Sequence, residues 1–193
     1  MTRTASHTNR RDWLLASAGL AASAALPGHA QAQTSNASTS TATTTTSATI
    51  PLLVPRAEFV YEAVADLEPA VDLGPGPLGE RRMVSITGGT FEGPGLRGKI
   101  LGGGADRQLL RSDGTRHLDA LYEMQTDDGA ILTVHNQVLT RTDADGKPYR
   151  FSHIKITAPQ GRYGWLNQFV YVGTLHSLQP ARRAVVIRAF KLV

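Results

Sequence analysis

SITGGTFEGPGLRGKILGGGADRQLLRSDG, residues 85–114, decides the fold. Its thirty residues hold nine glycines and one proline, set between short runs that alternate apolar and polar side chains. Glycine at this density supplies the positive φ that turns and bulges need, where a Cβ would clash. The stretch therefore predicts strands that bend and reverse, as in a small curved barrel.

Working outward, the same alternation continues on both sides. Towards the N-terminus, Glu58–Asp66 reads as a first strand with Phe59, Tyr61, Ala63 and Ala65 on one face, and LGPGPLG at 73–79 as a loop. Arg81–Thr87 is a second strand, with a turn beginning at Gly88-Gly89. Leu96–Leu101 and Ala105–Arg111 flank Gly102-Gly103-Gly104 and form either a hairpin or one sharply bent strand. Towards the C-terminus, Leu118–Thr126 and Ala130–Thr140 flank Asp127-Asp128-Gly129, an Asp-Gly step that is a strong hairpin signal. Tyr149–Thr157, Trp165–Thr174 and Ala184–Leu192 complete the set. About nine strands without an amphipathic helical period predict an all-β fold, a single antiparallel barrel, since closure removes the exposed edges of so large a sheet.

The front of the chain reads differently. Arg10-Arg11, the weakly apolar run Ala16–Leu26 and the small-x-small triplet Ala30-Gln31-Ala32 predict a twin-arginine export signal over residues 1–32. Residues 33–49 carry no charge, and twelve of the seventeen are serine or threonine, so too little apolar surface is present to offset ordering entropy. A disordered leader is expected there. The barrel domain then occupies residues 50–193, enough for one core. The expected location is the periplasm, with no stable membrane insertion once the signal is removed.

Charge and composition exclude several classes. The formal charge of +4 falls to about +2 without the signal, because Arg3, Arg10, Arg11 and Asp12 leave with it. The remaining basic residues are scattered among carboxylates along the sequence, which argues against a nucleic-acid partner. There are no cysteines, so disulfides, thiolate metal sites and cysteine nucleophiles are absent. No two histidines stand at metal-ligand spacing, and the glycine-rich run at Gly102 lies between strands rather than before a helix. Neither metal nor cofactor is expected.

GGTFEGP at 88–94, GGGAD at 102–106, DG at 113–114, LDALY at 118–122, TDDGAIL at 126–132 and YGWLN at 163–167 occur in that order. Together they resemble the bacterial family known as domain of unknown function 3237, over nearly all of residues 59–193. The resemblance implies a single-domain barrel with an internal cavity, akin to calycin or allene oxide cyclase barrels, and no established chemistry. Two departures bear on the pocket: Arg107 stands where the family usually has tryptophan, and Val138 where a glycine is common.

Strand parity separates the candidate residues. Asp106, Gln108 and Leu110 share one face, and Arg107, Leu109 and Arg111 the other, so the first face is expected to point inward. Asp106 then reads either as a desolvated general acid or base, or as a cap for the neighbouring glycine turn. Glu92 either looks into the cavity mouth and pairs with Asp106, or is a solvated turn residue. If the apolar face of LDALY is the core, Tyr122 offers an inward hydroxyl. Asn136, with Leu132, Val134 and Val138, is expected inside, while His135 and His153 face outward. Trp165 and Asn167 either clamp a flat ligand at the barrel mouth, or plug the barrel end with Asn167 bonded to a loop.

Three functions follow from these residues. The first is a barrel that binds a small, mostly apolar organic ligand in its interior. The second is a cofactor-independent isomerase, cyclase or lyase in which Asp106 or Glu92 moves a proton. The third is a structural or assembly protein, with glycine-rich loops forming homo-oligomer contacts.

Overall fold

The computed structural model describes residues 50–193; the expected signal and leader lie outside them. The described chain forms ten strands: β1 (Ala57–Leu67), β2 (Val71–Gly76), β3 (Gly79–Gly93), β4 (Leu96–Ile100), β5 (Gly104–Leu110), β6 (Arg116–Thr126), β7 (Ile131–Thr142), β8 (Pro148–Thr157), β9 (Tyr171–Ser177) and β10 (Ala184–Leu192). A 3₁₀ turn at Gly164–Gln168 interrupts the path from β8 to β9. Every pairing is antiparallel, and the order β1-β10-β9-β8-β7-β6-β4-β3 closes because β3 pairs back onto β1. The expected all-β barrel is therefore present, with eight strands in the closed ring and β2 and β5 added to it.

The glycine-rich stretch bends strands rather than simply reversing them. β4 and β5 both pair with β3 and with β6 in the same sense, so they form one strand kinked at Leu101–Gly103. Likewise, the turn expected at Gly88-Gly89 is a bulge inside the long β3. Asp66 partners Gly88 while Leu67 partners Ile86, and Thr87 is left over. Gly89 has φ of 138°, and a Cβ there would collide with the Val64 carbonyl. Only glycine lets β3 pass so close to β1 at this point.

Three further expectations need correction. Residues 73–79 are not simply loop: β2 runs along the first half of β3, continuing the line of β1. Its Pro75 is tolerated because β2 is an edge strand, where a missing N–H faces solvent. Phe59 does not share the inward face with Tyr61, because a bulge between them shifts the register against β10; Phe59 is exposed and Tyr61 buried. Trp165 does not open a strand, since residues 164–168 take up the 3₁₀ turn and β9 begins at Tyr171.

Alternation fills the interior. Leu118, Ala120, Tyr122 and Met124 of β6 face Leu132, Val134, Asn136 and Val138 of β7, all buried. The Asp-Gly hairpin is present, with Gly129 at φ 89° between β6 and β7. At that end the barrel is stoppered by the 3₁₀ turn. Leu166 is fully buried, the Tyr171 hydroxyl donates to its carbonyl at 2.9 Å, and the Tyr163 hydroxyl donates to Asp128 Oδ1 at 2.9 Å. Burying one leucine side chain contributes about 2 kcal/mol, enough to hold so short a turn. The opposite end stays open.

Candidate functional site: the open end of the barrel

The open end leads into the barrel through a vestibule of about 490 Å³, continuous with a narrower inner chamber of about 70 Å³. Leu67, Gln108, Leu118, Leu175 and Val185 line both, so the two adjoin through the walls these residues form. The inner chamber has apolar walls, among them Ala65, Ile86 and Ile187, and four polar side chains reach it: Asp106, Gln108, Tyr122 and Asn136. A mostly apolar cavity with a few convergent polar groups is the usual form of a small-molecule site.

Backbone register explains why these four meet. Asp106 on β5 partners Ala120 on β6, which partners Asn136 on β7. The three side chains share the inward face, and the small methyl of Ala120 leaves open the space between an acid and an amide two strands apart. Gly104, two residues before Asp106, makes room in turn for Tyr122: a Cβ there would lie 2.6 Å from the tyrosine Cβ.

The polar groups of the interior are under-satisfied. Gln108 Nε2 donates to Asp106 Oδ2 at 2.7 Å, but Asp106 Oδ1 is buried without a partner. The hydroxyls of Tyr61, Tyr122 and Ser152 and the Oδ1 of Asn136 are also buried and find no hydrogen-bond partner among the described residues. Each such group costs on the order of 1–3 kcal/mol. Five on the inward faces of one barrel mark the place where the fold gives up stability for something other than packing.

Burial pushes the Asp106 carboxyl above its ordinary range, against the opposing pull of the Gln108 hydrogen bond, the backbone N–H of Asp119 and, most weakly, the Arg116 charge. Burial likewise raises Tyr122 and Tyr61 far above the ordinary phenol value, so both remain neutral donors. A carboxyl that holds its proton more tightly, beside neutral hydroxyls and an amide, can donate a proton or a hydrogen bond to a ligand oxygen or carbon.

The remaining sequence candidates lie elsewhere. Glu92 does not join Asp106. It is exposed, because the alternation that buries Phe91 turns the next residue outward, and it lines an outer cleft with Arg97 and Asp127. The β3 partner of Asp106 is Val84, eight residues from Glu92, about 25 Å along the strand. Trp165 and Asn167 belong to the stoppered end rather than the mouth. Trp165 packs edge-on against Phe169, and Asn167 is wholly committed to backbone, accepting from Ala158 N–H and donating to the Ala158 and Gly164 carbonyls at 2.9–3.1 Å. His135 faces outward and bonds Asp119 at 2.6 Å.

Sequence reading missed Tyr61 and Ser152 as interior polar groups, and Arg82, Arg116, Arg150 and Arg183, which line the vestibule. Parity carried a signal for Ser152, which alternates with Ile154 and Ile156 on β8.

Comparison with known proteins agrees with this architecture. A β-barrel-like protein from Acinetobacter baumannii superimposes with a TM-score of 0.69 at 31% identity, covering 74% of this chain and 99% of its own. A UPF0311 protein of Rhodopseudomonas palustris is 30% identical over 142 residues, 67% of this chain and 92% of its own. A Penicillium herquei protein named as a hydroalkoxylation enzyme is 30% identical over 120 residues, 62% of this chain and 74% of its own. The profile of the family described as "Protein of unknown function (DUF3237)" matches residues 55–192, and the chain belongs to that family.

Proposed function

We propose that the barrel binds a small organic molecule through its open end, with the polar part of the ligand against Asp106, Tyr122 and Asn136 and its apolar body against Leu67, Leu118, Leu175 and Val185. The observation that carries this reading is the convergence of buried, unpartnered oxygens on a cavity that is otherwise apolar. A ligand supplying donors and acceptors there restores the hydrogen bonds that folding removed from water. Native mass spectrometry of the protein purified from the cells that make it tests the reading. A co-purifying small molecule present in the wild type and lost in Leu118→Trp, which blocks the passage, supports it; an adduct retained in that variant contradicts it.

A second reading, proton-transfer catalysis without a cofactor, is favoured by the raised pKa of Asp106 and by the relative named as a hydroalkoxylation enzyme. Hydroalkoxylation adds an alcohol O–H across a carbon–carbon double bond. On this barrel the protonated Asp106 would give its proton to one alkene carbon while a hydroxyl of the same molecule bonds to the other. The oxygen's proton would then return to the Asp106 carboxylate, leaving an isomer of the substrate and an unchanged enzyme. Asp106→Asn abolishes turnover under this reading and leaves ligand affinity within a few-fold; equal turnover by the variant excludes it. As an exported protein, following the twin-arginine expectation, it would meet its ligand in the periplasm, a location that fractionation of the native cells tests directly.

A further inference from the structure

The inner chamber has apolar walls, but the vestibule that leads to it is lined largely by polar and charged side chains. Arg82 of β3, Arg116 of β6, Arg150 of β8 and Arg183 just before β10 all line the vestibule, against one carboxylate, Glu68. The fold assembles them by parity. Arg116 and Arg150 occupy one row of backbone partners on either side of Thr140, and Arg82 partners Gln108 on the next row inward. Scattered over a hundred residues of sequence, the four are brought to one opening.

Away from the rim, among the described residues, Arg97, Arg111, Arg141, Arg162, Arg182 and Arg188 each meet an aspartate or glutamate, while Arg56, Arg81 and Arg107 do not. None of the four rim arginines takes part in an ion pair among the described residues. Unpaired like charges drawn around one opening repel each other, and low-dielectric walls focus their field into the passage. A guanidinium is moreover a planar fork suited to an oxyanion with two or three oxygens.

We propose that the ligand of this barrel is an organic anion, with a carboxylate, sulfonate or phosphate held by Arg116 and Arg150 at the rim and a flat apolar body directed inward. Four steps along β6 set the backbone of Arg116 about 13 Å from that of Ala120, the residue between Asp106 and Asn136. That separation suits a fused-ring or extended aromatic acid. The inference rests on the interior-binding reading above and specifies its substrate class.

Two fluorescent probes with one aromatic body test it: 8-anilinonaphthalene-1-sulfonate, which carries the anion, and N-phenyl-1-naphthylamine, which lacks it. Both are titrated into wild type, the Arg116→Gln/Arg150→Gln double variant and Leu118→Trp, with far-UV circular dichroism confirming that each variant is folded. We expect the sulfonate to bind wild type at least tenfold more tightly than the neutral probe, and to lose affinity as salt rises. The double variant should lose at least tenfold for the sulfonate and less than twofold for the neutral probe. Equal affinities in wild type, or equal losses for both probes in the double variant, would overturn the anion inference while leaving interior binding intact. Binding of both probes unaffected by Leu118→Trp, or binding of neither, would overturn the interior reading and this inference with it.

Discussion

Asp106 and Asn136 stand on either side of Ala120 in one row of backbone partners across β5, β6 and β7, and each carries a buried Oδ1 that no other group of the described chain satisfies. Two strand spacings separate their backbones by about 10 Å, and the residue between them has only a methyl group. This arrangement is poor for stability, since a half-satisfied polar network is worse than an apolar one. It suits a ligand whose polar end fits between an acid and an amide.

Replacing Tyr122 by phenylalanine removes a buried hydroxyl whose neighbour is the equally buried Tyr61 hydroxyl. The variant should stay within about 1 kcal/mol of wild type, because loss of that contact is offset by relief of a desolvated polar group. Ligand affinity should fall instead. Urea denaturation checks the first, and a loss above about 1 kcal/mol would show that the hydroxyl supports the fold.

Asp106→Asn should change the pH dependence of stability. The folded carboxyl has a raised pKa, so the native state holds this proton more tightly than the unfolded chain does. Its contribution is complete below the unfolded pKa, near 3.8, and is lost as pH rises through the folded value. Asparagine does not titrate. The variant's melting temperature relative to wild type should therefore rise from pH 4 towards pH 8, as followed by thermal melts across that range; a flat difference would show that Asp106 is not desolvated.

Asn167→Ala should destabilise by about 1–3 kcal/mol, since it strips partners from the Ala158 and Gly164 backbone at the stoppered end. Ligand or probe affinity should stay within twofold, because the open end lies at the other side of the barrel. A selective loss of affinity without a loss of stability would return Asn167 to the binding site.

Gly104→Ala should cost on the order of 1–3 kcal/mol and reduce binding as well, because the new Cβ presses on Tyr122 and on the Leu121 carbonyl, at 2.6 and 2.8 Å. Pairing it with Tyr122→Ala does not relieve the clash, because alanine keeps the Cβ that the new methyl meets, so the double variant should remain below Tyr122→Ala alone in denaturation experiments.

How far the sequence revealed this arrangement depends on the local regularity of each strand. Along β5, β6 and β7 the alternation runs unbroken, so parity grouped Asp106 with Gln108 and Asn136 with its apolar neighbours, while the inward side of Tyr122 stayed conditional on the apolar face of LDALY being the core. Parity failed where a bulge reset it, at Val60, which turned Phe59 outward. The role of β2 was hidden because proline and glycine exclude a central strand but not an edge one. Trp165 and Asn167 read as strand residues since five residues of 3₁₀ turn are too few to show a period. The rim arginines had no local signal at all, for their proximity is a product of barrel closure.

The most direct test follows the alanine methyl groups of the passage by NMR. Ala65 and Ala120 line the inner chamber, whereas Ala57 is exposed at the start of β1, near the opposite end. Titration of alanine-labelled protein with a series of naphthoic and larger fused-ring carboxylic acids should shift the Ala65 and Ala120 methyl signals saturably and leave Ala57 unmoved, and in Leu118→Trp none of the three should shift. Saturable shifts confined to Ala57 and other exposed alanines, with Ala65 and Ala120 unchanged at millimolar acid, would contradict the assignment of the barrel interior as the binding site.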